Sequence, residues 1–282
     1  MTLSDTEWHS HALQQALAPQ WPGFTVEVVQ DIDSTNAELM SRARAGHHEP
    51  ILLVAKHQSA GQGRLGRRWY SGNGSLTFSL GIPLTPQDWS GLSLAVGLSV
   101  AQSLHPDIML KWPNDLWWNK RKLAGILIET TGRGLLSNQA SRYVVIGVGL
   151  NMGCVAVPDL STKPAWLNEF LPTMGAAQAL ACTVGPLMNT LLTFEQQGFA
   201  PFQAAYHARD ALTQLTVTLS DGVQGVVLGV NGVGALQVQT AQGLRRITST
   251  EVSQYGERTA PSLGVVQKSL FLNHATLDNV KV

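Results

Sequence analysis

Hydrophobic and polar positions along the chain switch between a strand-like and a helix-like period. "ILLVAKHQ", Ile51 to Gln58, is a buried strand by pattern, and "SLTFSLGI" is another, closed by Pro83 and Pro86. "FTVEVVQ" alternates well enough for a strand before them. "DSTNAELMSRARAG" carries a capping-type Ser34 or Thr35, a helical run and Gly46 as a stop, which predicts a helix. "WSGLSLAVGLSVAQSL" has helix length and a broad apolar face, and predicts a core helix. "IMLKWPNDLWWNKRKLAGILIET" reads as strand, turn at Pro113, strand, turn at Asn119 to Lys122, strand. "YVVIGVGLNM" is a further apolar strand. "NTLLTFEQQGFAPFQAAYHAR" predicts helix at both ends with a Gly-Pro interruption between them.

The pattern changes near Leu212. "LTVTLSDGVQGVVLGVNGVGALQVQTAQGLRRITSTEVS" consists of short alternating runs separated by DG, NG and QG turns, which predicts a small antiparallel barrel or sheet. The expected organisation is a large unit over residues 1–210, opened by a helical lead-in over 1–22, then a small β module over 211–258. The tail over 259–282 carries no periodic signal.

Composition narrows the function classes. The 282 residues balance 19 basic against 19 acidic side chains, and charged residues make up only 13%. This argues against a sequence-independent electrostatic grip on nucleic acid, so an anionic ligand must be met locally. Cys154 and Cys182 are far apart and lack a neighbouring His pattern, which disfavours a zinc site or a disulfide framework and suits a reducing compartment. The N-terminus lacks a signal-peptide pattern, and the apolar stretch Leu92 to Leu104 is too short to span a bilayer. A cytoplasmic protein is expected.

"GQGRLGRRW", Gly61 to Trp69, matches a dinucleotide-binding GxGxxG by spacing, but that fingerprint needs a strand before it and a helix beginning on the glycines. Here Gly72, Asn73 and Gly74 follow, so no helix of that kind can start. What remains is a mobile-type loop carrying Arg64, Arg67 and Arg68, able to close over a phosphate or carboxylate, with Trp69 placed to stack on a base. "KWPNDL" sets Lys111, Asn114 and Asp115 at a strand end, and "KLAGILIE" opens the next strand with Lys122 and Gly125. Lysines heading toward a charge-poor core need anionic partners if they are buried there.

In this order, "DSTN", "QSAGQGRLGRRW", "KWPNDL", "KLAGILIE" and "VIGVGLN" resemble the biotin protein ligases, and cover most of residues 31 to 151. The resemblance implies an α+β fold: a mixed β-sheet flanked by helices, related to class II aminoacyl-tRNA synthetases, with a small C-terminal SH3-like β-barrel. It implies biotin and ATP as substrates with Mg²⁺ carried on the ATP phosphates. The reaction would proceed through biotinyl-5'-AMP, with pyrophosphate released, to a lysine of the biotin carboxyl carrier protein of acetyl-CoA carboxylase or of another biotin-dependent carboxylase.

By the same resemblance, Ser34, Thr35, Asn36, Gln58, Gln62, Gly63, Arg64, Lys122 and Gly125 correspond to biotin-binding positions. Gly61, Arg67, Trp69, Asn114, Lys122 and Asn151 correspond to the adenylate side. Lys122, Arg64, Lys111 and Asp115 are the implied catalytic set. Gln62 stands where the family loop often carries an arginine, so one side-chain charge is missing there. The resemblance lacks the N-terminal helix-turn-helix of bifunctional members and so implies no operator binding. Monomer and homodimer both stay open, as do a lipoate or octanoyl ligase on the same fold and, more distantly, a non-catalytic binding module.

Overall fold

The computed structural model describes Trp8 and residues 10–72, 74–131, 141–154, 164–248 and 252–254. The predicted tail over 259–282 lies outside these residues. One sheet of seven strands organises the larger part, in the order β1 (Thr25–Ile32), β2 (Ile51–Gln58), β3 (Ser75–Leu84), β7 (Arg142–Asn151), β6 (Arg121–Thr130), β5 (Asp115–Trp118), β4 (Met109–Lys111). β1 and β2 run parallel and every other neighbour pair is antiparallel, so the sheet is mixed.

Side-chain parity assigns the two faces. Ile51 and Leu53 of β2, with Tyr143 and Val145 of β7, pack under α2 (Thr35–Arg44), which follows α1 (Ser10–Leu17). Leu52, Val54, Leu80, Ile82, Val144 and Ile146 point the other way into the main core. There α3 (Leu92–Leu104) packs against α4 (Ala176–Gln197). Ser34 caps α2 through its hydroxyl, which accepts from the Ala37 amide, so the capping signal in "DSTN" is a real helix start.

Two boundaries differ from the sequence pattern. β3 runs through Pro83 to Leu84, because β2 ends its pairing at Gly81 and leaves that side of the ladder open where proline has no N–H to offer. α4 begins well before the predicted helix and passes through Pro186. Pro186 and Cys182, whose carbonyl loses its i+4 partner, are both exposed, while Leu180, Val184, Leu187 and Leu191 bury the opposite side.

After α5 (Gln203–His207) come five short strands, β8 (Thr216–Leu219), β9 (Gln224–Val230), β10 (Leu236–Thr240), β11 (Gly243–Ile247) and β12 (Val252–Gln254), in the order β11-β10-β9-β8-β12. All pairings are antiparallel. The expected barrel is thus an antiparallel sheet, with no ladder joining β11 to β12 among the described residues. This sheet shares the main core: Val217, Val227, Leu236 and Val238 are buried in it, and Trp112 Nε1 donates to Gly234 O at 3.1 Å.

Candidate functional site

A cleft of about 780 Å³ opens on the α2 side of the large sheet. Its floor follows from register. Thr77 pairs with Gly149, Gly149 with Gly125, and Gly125 with Asp115, giving one row across β3, β7, β6 and β5. A second row pairs Ser79 with Gly147 and Gly147 with Leu127. Both glycines of β7 are required by close approach. A Cβ at Gly147 would lie 2.1 Å from Asn36 Oδ1, and one at Gly149 would lie 2.3 Å from Trp69 Cε2.

The N-terminus of α2 supplies a polar wall. Thr35 N donates to Gln58 Oε1 at 2.7 Å, and Ser79 Oγ lies 2.7 Å from Thr35 Oγ1 and 2.6 Å from Asn36 Oδ1. Asn36 Nδ2 donates to Glu129 Oε2 at 2.9 Å. Ser34, Thr35, Asn36, Gln58 and Ser79 are all buried, so these contacts offset the cost of desolvating them.

The opposite end is cationic. Among the described residues, Arg64, Arg67, Lys111, Lys120 and Lys122 line the cleft against a single carboxylate, Asp115, while Arg68, also in the lining, donates to Ser59 O at 3.0 Å beside Gln58. In a chain of zero formal net charge this is a strong local concentration. Lys122 Nζ pairs with Asp115 Oδ1 at 2.7 Å, and Lys111 Nζ sits over the Trp117 ring, 4.1 Å from its centroid. A register shift at Leu116/Trp117 aligns Trp117 with Lys122 and Leu116 with Ala124, leaving Leu123 as the extra residue of a β-bulge. The bulge brings Lys122 beside Gly125, where ordinary alternation would not. Arg64 Nη1 donates to Asn114 Oδ1 at 3.3 Å, and burial lowers the Arg64 pKa against the opposing pull of Asp115.

The loop itself is closed by backbone bonds: Gly63 N to Arg67 O at 2.7 Å and Trp69 N to Gly61 O at 2.9 Å. Only a 3-10 turn, Arg64–Gly66, occurs within it, so the dinucleotide-binding reading fails on structure as it did on pattern. Leu65 turns left-handed at φ 57° and its side chain is 77% exposed at the loop tip.

Of the residues singled out from sequence, Ser34, Thr35, Asn36, Gln58, Gln62, Gly63, Arg64, Arg67, Trp69, Lys111, Asn114, Asp115, Lys122, Gly125 and Asn151 all line this cleft. Gly61 does not; it lies against the Trp69 backbone, where a Cβ would come within 2.6 Å of the carbonyl oxygen. Asn151 donates to Ala165 O at 3.0 Å and to Lys122 O at 3.3 Å, which anchors the Lys122 backbone. Thr77, Gly147, Gly149, Trp117 and Lys120 also line the cleft and were not singled out. The alternation of small residues at 77, 79, 147 and 149 was the available signal for most of them. Among the described residues no group of three or more His, Cys, Asp or Glu gathers as a metal site. None of their helices is long and apolar enough to cross a membrane.

Residues 28–151 match the model of the biotin/lipoate A/B protein ligase family. The bifunctional ligase/repressor BirA of Escherichia coli strain K12 is 33% identical over 235 residues, 78% of this chain and 71% of that protein. The biotin--[acetyl-CoA-carboxylase] ligase of Paracoccus denitrificans is 29% identical over 238 residues, 78% of this chain and 96% of that protein. In structure, the biotin protein ligase of Aquifex aeolicus in complex with biotin and ATP superposes with a TM-score of 0.68 at 27% identity, covering 81% of this chain and 97% of that one.

Proposed function

The chain belongs to the biotin/lipoate A/B protein ligase family, and we propose that it is an ATP-dependent biotin protein ligase. The observation that carries this reading is the two-ended cleft, with a neutral hydrogen-bonding wall at Thr35, Asn36 and Gln58 and the cations Lys122, Lys111 and Arg64 around Asp115, Trp117 and Asn114 away from it. A neutral urea head and an anionic carboxylate-plus-phosphate centre need those two environments.

In the first half-reaction the biotin carboxylate attacks the α-phosphorus of ATP, and the P–O bond to pyrophosphate breaks. Two anions must approach each other, and Lys122, with Arg64 across the cleft, offsets their repulsion and the charge that develops on the leaving oxygens. Lys111 and Arg67 extend the positive field toward the phosphates. Trp69 is the residue to stack on adenine, with Asn114 holding Arg64 and Asn151 holding the Lys122 backbone.

Mg²⁺ fits this donor set as an ion held chiefly by phosphate oxygens, since Asp115 is the one carboxylate lining the cleft among the described residues. When bound it neutralises phosphate charge. In the second half-reaction a carrier lysine, as the free amine, attacks the acyl carbon of biotinyl-5'-AMP and AMP leaves. Asp115 is placed to orient that amine through the Lys122 pair.

The proposed partner is the biotin carboxyl carrier protein of acetyl-CoA carboxylase, or of another biotin-dependent carboxylase, and the cytoplasm is the expected compartment. We read residues 211–258 as an SH3-like module attached to a catalytic unit over 1–210, supported by its short antiparallel strands.

The test is transfer of biotin to a carrier domain with ATP, with lipoate in parallel and the acceptor lysine substituted as control. Biotin labelling with pyrophosphate release is expected. Labelling with lipoate alone would move the specificity, and no pyrophosphate with either acid would overturn the reading.

A further inference from the structure

Glu129 lies outside the cleft lining, yet it terminates the hydrogen-bond chain of the polar wall. Asn36 bridges over Gly147 from β3 to β6, with Nδ2 at 2.9 Å from Glu129 Oε2 and 3.3 Å from Leu127 O. A carboxylate and a carbonyl can only accept, so the amide nitrogen must face them and Oδ1 must face Ser79. We propose that Glu129 is a positioning residue that sets the direction of the protons along this wall, so that the wall accepts N–H groups from the bound head group. The proposal rests on the biotin-ligase reading above.

Proton bookkeeping carries the inference. Ser79 has one hydroxyl proton, and the 2.6 Å contact to Asn36 Oδ1 commits it there. The 2.7 Å Ser79–Thr35 contact then takes the Thr35 proton. Gln58 Oε1 keeps the Thr35 amide at 2.7 Å and forgoes the longer hydroxyl contact of 3.1 Å. Both hydroxyl protons and the Asn36 amide therefore run toward Glu129, leaving both Thr35 Oγ1 lone pairs and one on Gln58 Oε1 open.

If Asn36 turned its amide over, the protons would run from Ser79 to Thr35 to Gln58 and fill most of those acceptors. A urea ring with N–H donors satisfies the first arrangement. A dithiolane or plain acyl chain leaves its oxygens unpaired, which is a basis for rejection.

Calorimetric titration of biotin into the full chain and into Glu129→Gln, Asn36→Ala and the double variant tests this. Glutamine keeps the shape but can donate as well as accept. Glu129→Gln is expected to weaken biotin roughly tenfold, the worth of one polarised hydrogen bond, and to narrow the preference for biotin over biotin methylated on a ureido nitrogen. KM for biotin should rise while turnover at saturating biotin holds within about twofold, since the reacting carboxylate lies at the other end.

In the Asn36→Ala background, Glu129→Gln should add nothing, whereas a structural role would add in full. Should Glu129→Gln fail to fold, Glu129→Asp must retain the preference over the methylated analogue. Wild-type affinity in Glu129→Gln, additive losses, or loss of preference in Glu129→Asp would overturn the proposal while leaving the ligase reading intact. Absence of biotin binding by the unaltered chain would overturn both.

Discussion

Gly149 lies directly beneath Trp69: a Cβ added at 149 would stand 2.3 Å from Cε2 of the indole, and one added at its strand partner Gly125 would stand 3.5 Å from Cζ3 of the same ring. The two glycines make a flat shelf for an aromatic side chain carried by a loop. Gly149→Ala should therefore push the loop off the shelf and leave the sheet intact. We expect the KM for ATP to rise roughly tenfold, the low end of an overpacking penalty of about 1–3 kcal/mol, with stability changed by less than about 1 kcal/mol. Steady-state pyrophosphate exchange and a thermal melt read the two effects separately; a normal KM would mean that the indole does not work from this position.

Gly147→Ala probes a different neighbour. Its Cβ would meet the buried Asn36 carboxamide at 2.1 Å, so Asn36 could give way only by breaking its bonds to Ser79 and Glu129. Both stability and biotin affinity should fall, stability by about 1–3 kcal/mol. Denaturant unfolding together with biotin titration checks this, and unchanged values in both would remove Asn36 from the site.

Lys122→Ala removes the cation paired with Asp115 at 2.7 Å and beside the glycine row. Pyrophosphate exchange should drop by about 10²–10³, comparable to losing a preorganised donor to developing charge. Asp115 would also lose its partner, so Asp115→Ala in the same background should cost far less than it does alone. Additive losses would separate the two residues' roles.

Much of this architecture could be read from the chain, and the exceptions have identifiable causes. Strand edges at Ile51 and Gln58 coincide with the apolar run because both faces of β2 are covered. The cap at Ser34 was legible because capping is local chemistry. Lys122 and Gly125 share a face only through the bulge at Leu123, which no alternation pattern displays. α4 passes Pro186 because the missing hydrogen bond falls on the exposed side and the buried Leu and Val stripe outweighs it. Ser79 read as one more strand residue, since its role depends on Asn36 arriving from another element.

Asp210 gives the pH dependence. Burial raises its pKa above the usual carboxylate range, against hydrogen bonds from Leu212 N and the Thr213 hydroxyl that favour the ionised form. A raised folded-state pKa means a contribution that is present in acid and lost as pH rises through the folded value. Asp210→Asn removes that titration. The variant should be at least as stable as the parent at pH 7, with its advantage shrinking toward pH 4, as thermal melts across that range would read. A larger advantage in acid would reverse the assignment.

Arg64 decides what happens between the two half-reactions. It reaches across from the loop to Asn114, half-buried over the cleft, and the loop that carries it is closed at its base by backbone bonds at Gly61 and Gly63 and by Arg68 donating to Ser59 O. A mixed anhydride survives only while water is excluded, so the contact that holds the loop down also protects the intermediate. Arg64→Ala should still form biotinyl-5'-AMP but release it, raising the dissociation rate by roughly tenfold for one lost charge-assisted hydrogen bond. Free adenylate in the filtrate and a lower yield of labelled carrier per pyrophosphate are the expected signature. Retention as tight as in the parent chain, with yield per pyrophosphate unchanged, would assign protection of the intermediate to the Trp69 shelf instead of to Arg64.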